Sequence, residues 1–199
     1  MGIPVGRLIC ASNCNNVLTD FFHRGVYNAK RTFHKTMSPS MDILISSNLE
    51  RLLFEVADRD CAAVSGWMCA LAQSGEYCVP TAAKERLEEL FYADFCDEEE
   101  TEATIRRISV FERHGYLMDP HTAVAQCVYE KYAAKTGDQT VTVLVSTANP
   151  YKFPQDVLHA VTGERVDDAF AAAEQLHRAT KVGIPAQIGA LREKKVRHK

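Results

Sequence analysis

The residues best placed to do chemistry lie in one short loop, Ser146-Thr147-Ala148-Asn149-Pro150-Tyr151-Lys152-Phe153-Pro154. It offers two aliphatic hydroxyls, a phenol, an amide and a cation. The loop follows Thr140-Val141-Thr142-Val143-Leu144-Val145, a β-branched, apolar run with the length of a buried parallel strand. Open α/β sheets bind their ligands at the carboxyl ends of such strands, so the loop marks a small-molecule site. Asn13 and Asn16 stand just after Arg7-Leu8-Ile9-Cys10-Ala11, which reads as a short buried strand. Their amides could bond a ligand or cap the helix that follows.

No self-contained catalytic motif accompanies these residues. G-x-S-x-G, H-E-x-x-H and the glycine-rich phosphate cradles are all absent from the sequence. His114 and His121 flank a helix break, where a cap or packing role competes with metal binding. Asp97-Glu98-Glu99-Glu100 opens a helix, where carboxylates complement the dipole. No converging partner marks that run as a metal site, so no metal is expected.

The positioning elements are mostly helical. The patterns predict a helix from Asn15–Asn16 to about Arg24 with Gly25 as its stop, and a capping box at Ser47-Asn48-Leu49-Glu50 opening a helix to about Ala57. Further helices are predicted over 61–74, 81–90, from the acidic run to Gly115, from Asp119-Pro120-His121-Thr122 to Gly137, over 154–161 and over 166–180, with a loose tail beyond Pro185. Only two strands are legible, at 7–11 and 140–145. Two strands cannot bury a parallel sheet on both faces.

The 199 residues suffice for one substantial domain with an appendage, and 46% hydrophobic with 25% charged residues is ordinary for a globular protein. A net charge of −3, with the one basic cluster in the tail Arg192–Lys199, excludes a broad nucleic-acid or anionic-membrane surface. Seven cysteines without a C-x-x-C read as reduced thiols. With no signal peptide and no run long enough to span a bilayer, they point to the cytoplasm.

Three segments, taken in order, resemble the threonine synthase family. They are Ala11-Ser12-Asn13-Cys14-Asn15-Asn16-Val17-Leu18-Thr19-Asp20-Phe21, then Thr36-Met37-Ser38-Pro39-Ser40-Met41-Asp42-Ile43 running on to Arg51, and the loop at 146–154. Asp119-Pro120-His121-Thr122-Ala123-Val124 strengthens the likeness, which spans residues 3–56 and 115–162. The resemblance implies an α/β, tryptophan-synthase-β-like architecture (fold type II), with a sheet incomplete in this chain and a largely helical insertion. Residues 1–57 and 115–162 would belong to its α/β domain, 58–114 to the insertion, and 163–199 to a C-terminal helix and tail.

The resemblance also implies pyridoxal 5'-phosphate (PLP) as cofactor of the complete enzyme. The activity implied is conversion of O-phospho-L-homoserine and water to L-threonine and phosphate by β,γ-elimination and replacement. Thr147 matches the neutral hydroxyl that meets the pyridine nitrogen, with Ser146 as runner-up and Asn13 beside the cofactor. Lys152, Asn16, Ser38, Ser40, Asp42, Asn48 and Arg51 are the substrate-binding candidates; Arg51 could equally pair with a carboxylate. The family's Schiff-base lysine and phosphate loop lie upstream of the matching region. None of the ten lysines here has the Ser-x-Lys-Asp-like surroundings. The chain alone is therefore expected to be inactive, with the upstream half as its partner. Two alternatives stay open on sequence: a non-catalytic binding module, and a phospholyase for another phosphorylated amino alcohol.

Overall fold

The computed structural model describes residues 2, 4–111 and 116–196, and the chain divides into two compact units, Met1–Asp97 with Val128–Val141 and Glu98–Cys127 with Thr142–Lys199. His114, Gly115 and the last three tail residues lie outside the described residues.

The first unit begins with β1 (Leu8–Ser12), α1 (Val17–Arg24) and β2 (Val26–Asn28). Val17 and Phe21, one turn apart, are fully buried and Phe22 nearly so, which makes α1 amphipathic. Gly25 ends it in the left-handed region, at φ 70°, where glycine escapes the Cβ clash. Next come α2 (Leu49–Val56), α3 (Cys61–Ser74), β3 (Glu76–Cys78), α4 (Thr81–Leu90) and β4 (Phe91–Phe95). β4 pairs parallel with β1, from Leu8 opposite Phe91 to Ser12 opposite Phe95. β2 and β3 pair antiparallel with Tyr27 opposite Tyr77. Those two rings stack at 5.2 Å and 6°, and Phe21 packs against both. Such cross-strand aromatic pairs are the unit of stability in a short antiparallel pair. Leu53 and Leu87, both fully buried, join the same core from α2 and α4.

The second unit opens with α5 (Glu98–Arg106), which runs on as a π turn over Arg107–Phe111. α6 (Pro120–Thr136) starts in this unit, and its second half belongs to the first. A 3-10 turn (Pro150–Lys152) leads into α7 (Pro154–Thr162), which packs on α8 (Ala169–Thr180). Val157, Leu158 and Ala160 of α7 and Ala172, Ala173 and Leu176 of α8 are buried. Arg106 Nε donates to the Ala160 carbonyl at 2.8 Å, tying α5 to α7. α9 (Ala186–Gly189) and a 3-10 turn give the expected loose tail short helical turns.

Three expectations fail. Residues 140–145 form no strand: Val141, Val143 and Val145 are 91%, 82% and 73% exposed. A strand exists through its neighbour's hydrogen bonds, and none among the described residues runs alongside. Asp138 instead takes the Thr140 amide and hydroxyl together with the Tyr132 hydroxyl, and these donors hold its carboxyl down to about 2. The capping box at Ser47 does not form: Asn48, already helical at φ −71°, precedes Leu49, and its Oδ1 accepts from Arg51. β1 was expected to be buried, yet it is only half so, because β4 is its one partner among the described residues.

β2, β3 and β4 were not legible. β4 follows α4 without a glycine or proline, so nothing in the sequence marks the change from helix to strand at Phe91.

Candidate active site

Each unit carries one polar constellation. In the first, the loop after β1 meets the 36–42 segment. Asn13, 1% exposed, aims Nδ2 at Asp42 Oδ1 (2.8 Å), Thr36 Oγ1 (2.9 Å) and Ser38 Oγ (3.0 Å). Its Oδ1 accepts the Asn15 amide at 2.9 Å. Asn15 brackets His34, accepting from its amide and donating to its carbonyl, and also donates to Asp42 at 3.0 Å. Asp42 further accepts the Thr36 amide (3.0 Å) and hydroxyl (2.7 Å). The carboxylate thus gathers four hydrogen bonds from neutral donors, which is strong solvation for a half-buried charge.

Of the substrate-binding candidates, Ser38 and Asp42 join Asn13 in this cluster. Asn16 stands outside it, accepting from Arg31, which also pairs with Asp20 at 2.6 Å. Ser40 is exposed, and Asn48 and Arg51 form an exposed pair of their own. Asn15 and Thr36 were missed as site residues. Both fall within the quoted family segments, and Asn15 looked like a helix opener only.

In the second unit, Asp119 caps α6 as its sequence suggests. Its Oδ1 accepts the His121 amide at 3.0 Å and faces His121 Nδ1 at 3.1 Å. Its Oδ2 accepts the Thr122 hydroxyl. Burial works to raise the Asp119 carboxyl, but His121 and Thr122 donating to it outweigh that and hold it below the usual aspartate range. Thr122 Oγ1 lies 3.1 Å from Ser146 Oγ, which lies 3.0 Å from the Tyr116 hydroxyl. His121 therefore serves as cap and packing residue, its ring 4.8 Å from Phe153. Thr147 is exposed, and its hydroxyl makes no hydrogen bond among the described residues. Lys152 is exposed too, with Nζ 6.0 Å from the Phe153 ring centre. Tyr116, Asp119 and Thr122 were not singled out as site residues, although the Asp-Pro-His-Thr motif carried part of the resemblance.

Residues 122–197 match the family model described as "Threonine synthase, C-terminal". The yeast threonine synthase structure superposes with a TM-score of 0.82 at 32% identity, over 98% of this chain and 39% of that one. The chain matches the C-terminal portion of threonine synthase. The Brucella melitensis threonine synthase, a structure titled as PLP-bound, gives a TM-score of 0.73 at 34% identity, over 92% of this chain and 42% of that one. Threonine synthase from Saccharomyces cerevisiae is 37% identical over 82% of this chain and 34% of its own length. Human threonine synthase-like 1 is 39% identical over 84% and 22% respectively. The chain thus spans about a fifth to two fifths of these relatives.

The threonine synthase match confirms the fold-type-II architecture, and two two-stranded sheets are what a partial sheet gives. Among the described residues no helix is long and apolar enough to cross a membrane, and the cysteines form no disulfide.

Proposed function

We propose that this chain supplies the C-terminal part of a threonine synthase, with residues 1–57 and 115–162 contributing to its α/β domain, 58–114 the largely helical addition and 163–199 the closing helix and tail. The assembled enzyme converts O-phospho-L-homoserine and water to L-threonine and phosphate in the cytoplasm. The fold match to yeast threonine synthase over 98% of the chain carries this reading.

PLP, when bound, supplies the electron sink for β,γ-elimination and replacement. The residues present suit one end of it. Thr147 offers an exposed, uncommitted hydroxyl beside Ser146, as a heteroaromatic ring nitrogen requires. Such a neutral partner does not hold the nitrogen protonated as a carboxylate would. Asn13, its amide already aimed by Asp42, Thr36 and Ser38, lies at the carboxyl end of β1 and orients the neighbouring loop. The network of Ser38 and Asp42 shapes the floor of the substrate pocket, and Asn16, Ser40, Asn48 and Arg51 form its margin. Lys152 presents its charge to the substrate phosphate as a mobile point charge. The upstream half of the enzyme brings the lysine and the phosphate cradle that this chain lacks.

The test is to supply O-phospho-L-homoserine and PLP to the chain alone and to the chain joined with its upstream half. The joined protein is expected to release threonine and phosphate one to one, and the chain alone neither. Turnover of a different phosphorylated amino alcohol in preference, or no turnover on joining, would overturn the reading.

A further inference from the structure

Where α7 and α8 pack together in the second unit they leave a groove of about 440 Å³, lined by Leu158, Thr162, Glu164, Gln175, Arg178 and Ala179. That volume lies in the range of small-molecule sites. Leu158, 1% exposed, gives the groove an apolar base, and Ala179 adds a methyl. Thr162 adds another methyl but no free hydrogen. Its hydroxyl donates to the Leu158 carbonyl at 2.8 Å and accepts the Glu164 amide at 3.1 Å. The groove therefore offers one anion, one cation and one amide over an aliphatic base.

Each of the two charges has an opposite charge close by in sequence, and in both cases that neighbour is engaged elsewhere. Arg165, next to Glu164, donates to His159 Nε2 at 3.0 Å. Glu174, one turn before Arg178, pairs with Arg192 at 2.8 Å. Only the Glu174 carbonyl meets Arg178, accepting from Nε at 3.3 Å. That contact steadies the guanidinium and leaves its two Nη groups to fork onto a carboxylate. Glu164 is placed by the left-handed Gly163, at φ 81°, and by its own amide on Thr162. Glu164 and Arg178 line the same groove, yet no ion pair joins them among the described residues.

We propose that this groove binds a free aliphatic α-amino acid. The carboxylate of the ligand lies on Arg178, its ammonium on Glu164 and its side chain on Leu158 and Ala179. Gln175, one turn before Arg178 on the same helix face, donates to the carboxylate or accepts from the ammonium. The pairing of charges selects this class. A phosphate or other polyanion meets Glu164, and a metal cation meets Arg178. A ligand with one charge leaves the other side of the groove unanswered, whereas a zwitterion answers both. The site is built from α7, α8 and the turn after α7, and it does not rest on the proposed function.

The test is to titrate L-leucine into the 15N-labelled chain and follow the backbone amide signals. Saturable shifts are expected at residues 158–164 and 175–179. N-acetyl-L-leucine lacks the ammonium and L-leucinamide lacks the carboxylate, so each should bind about tenfold more weakly. These two ligands test the proposal without altering the protein. Two variants at exposed positions then assign the charges, with the amide signals outside the groove showing that the fold is kept. Glu164→Gln should abolish the preference for leucine over N-acetyl-leucine. Arg178→Gln should abolish the preference for leucine over leucinamide. No saturable shift with leucine at about 10 mM would overturn the proposal, since binding weaker than that gains little from two charges. Equal binding of leucine and either blocked form would overturn it too, as would preferences that survive in the variants.

Discussion

The cluster around Asp42 and the segment from Thr140 to Thr147 are built in opposite ways. The first is closed. Asn13, Asn15, Thr36 and Ser38 spend their hydrogen bonds on one another and on Asp42, and three of the four side chains are inaccessible to within a few per cent. The second is open. Its valines stand in solvent and Thr147 has no partner among the described residues. The difference teaches where the information for each region resides. The Asp42 cluster is specified by this chain's own polar groups. The valine segment carries the composition of a buried strand but not the neighbours that would make it one.

Asp42→Ala should break the closed side most severely. It strips an acceptor from two side-chain amides, a backbone amide and a hydroxyl, and unfulfilled buried donors cost ~1–3 kcal/mol each, though not additively. A loss of about 3 kcal/mol in a urea unfolding curve is expected, with Asp42→Asn milder because one oxygen remains. A loss below about 0.5 kcal/mol would mean that the cluster is not the self-sufficient half described.

Tyr27→Phe probes how that half is held to its core. The Tyr27 hydroxyl donates to the Leu44 carbonyl and accepts the Ser46 amide, pinning the chain just after the 36–42 segment. Its removal should cost about 1.5 kcal/mol with the ring stack intact, read from the same curves and from near-ultraviolet dichroism.

Asp119→Asn sharpens the comparison through pH. The Asp119 carboxyl is held below its ordinary value in the folded chain. The stabilising contribution is therefore present above the unfolded value of about 4 and lost as pH falls through the folded value. Wild type should exceed the variant by about 1 kcal/mol at neutral pH, and the gap should close below about pH 4. A gap that persists in acid would assign the effect to packing rather than charge.

Val143→Thr should do least. The residue is 82% exposed, so the chain's own stability should move by no more than about 0.5 kcal/mol. Binding to the upstream half should weaken measurably in titration, since the same side chain is then buried.

Helix ends were legible at Gly25 and Gly75, which stop α1 and α3 in the left-handed region. The start of α8 was read two residues early, since Asp168 caps it through the Ala171 amide. The family segments pointed to Asn13, Ser38 and Asp42, which share one cluster, but Asn16 is engaged by Arg31 instead. Strands were the weak point, because a strand is a relation between segments. Residues 140–145 look like a strand and pair with no strand among the described residues, whereas Phe91–Phe95 lacks strand punctuation and pairs with β1. The contacts of Ser146 were out of reach of sequence for the same reason, since Thr122 and Tyr116 become its neighbours only in the fold.

The most direct test of the central contrast is amide hydrogen exchange at residues 36–42 and 140–145, in the chain alone and joined with its upstream half. The account expects Thr36 and Ser38 to be protected in both states. It expects the amides of Val141, Val143, Leu144 and Val145 to exchange freely alone and to gain strand-like protection on joining. Protection of these four in the isolated chain, or none after joining, would contradict it.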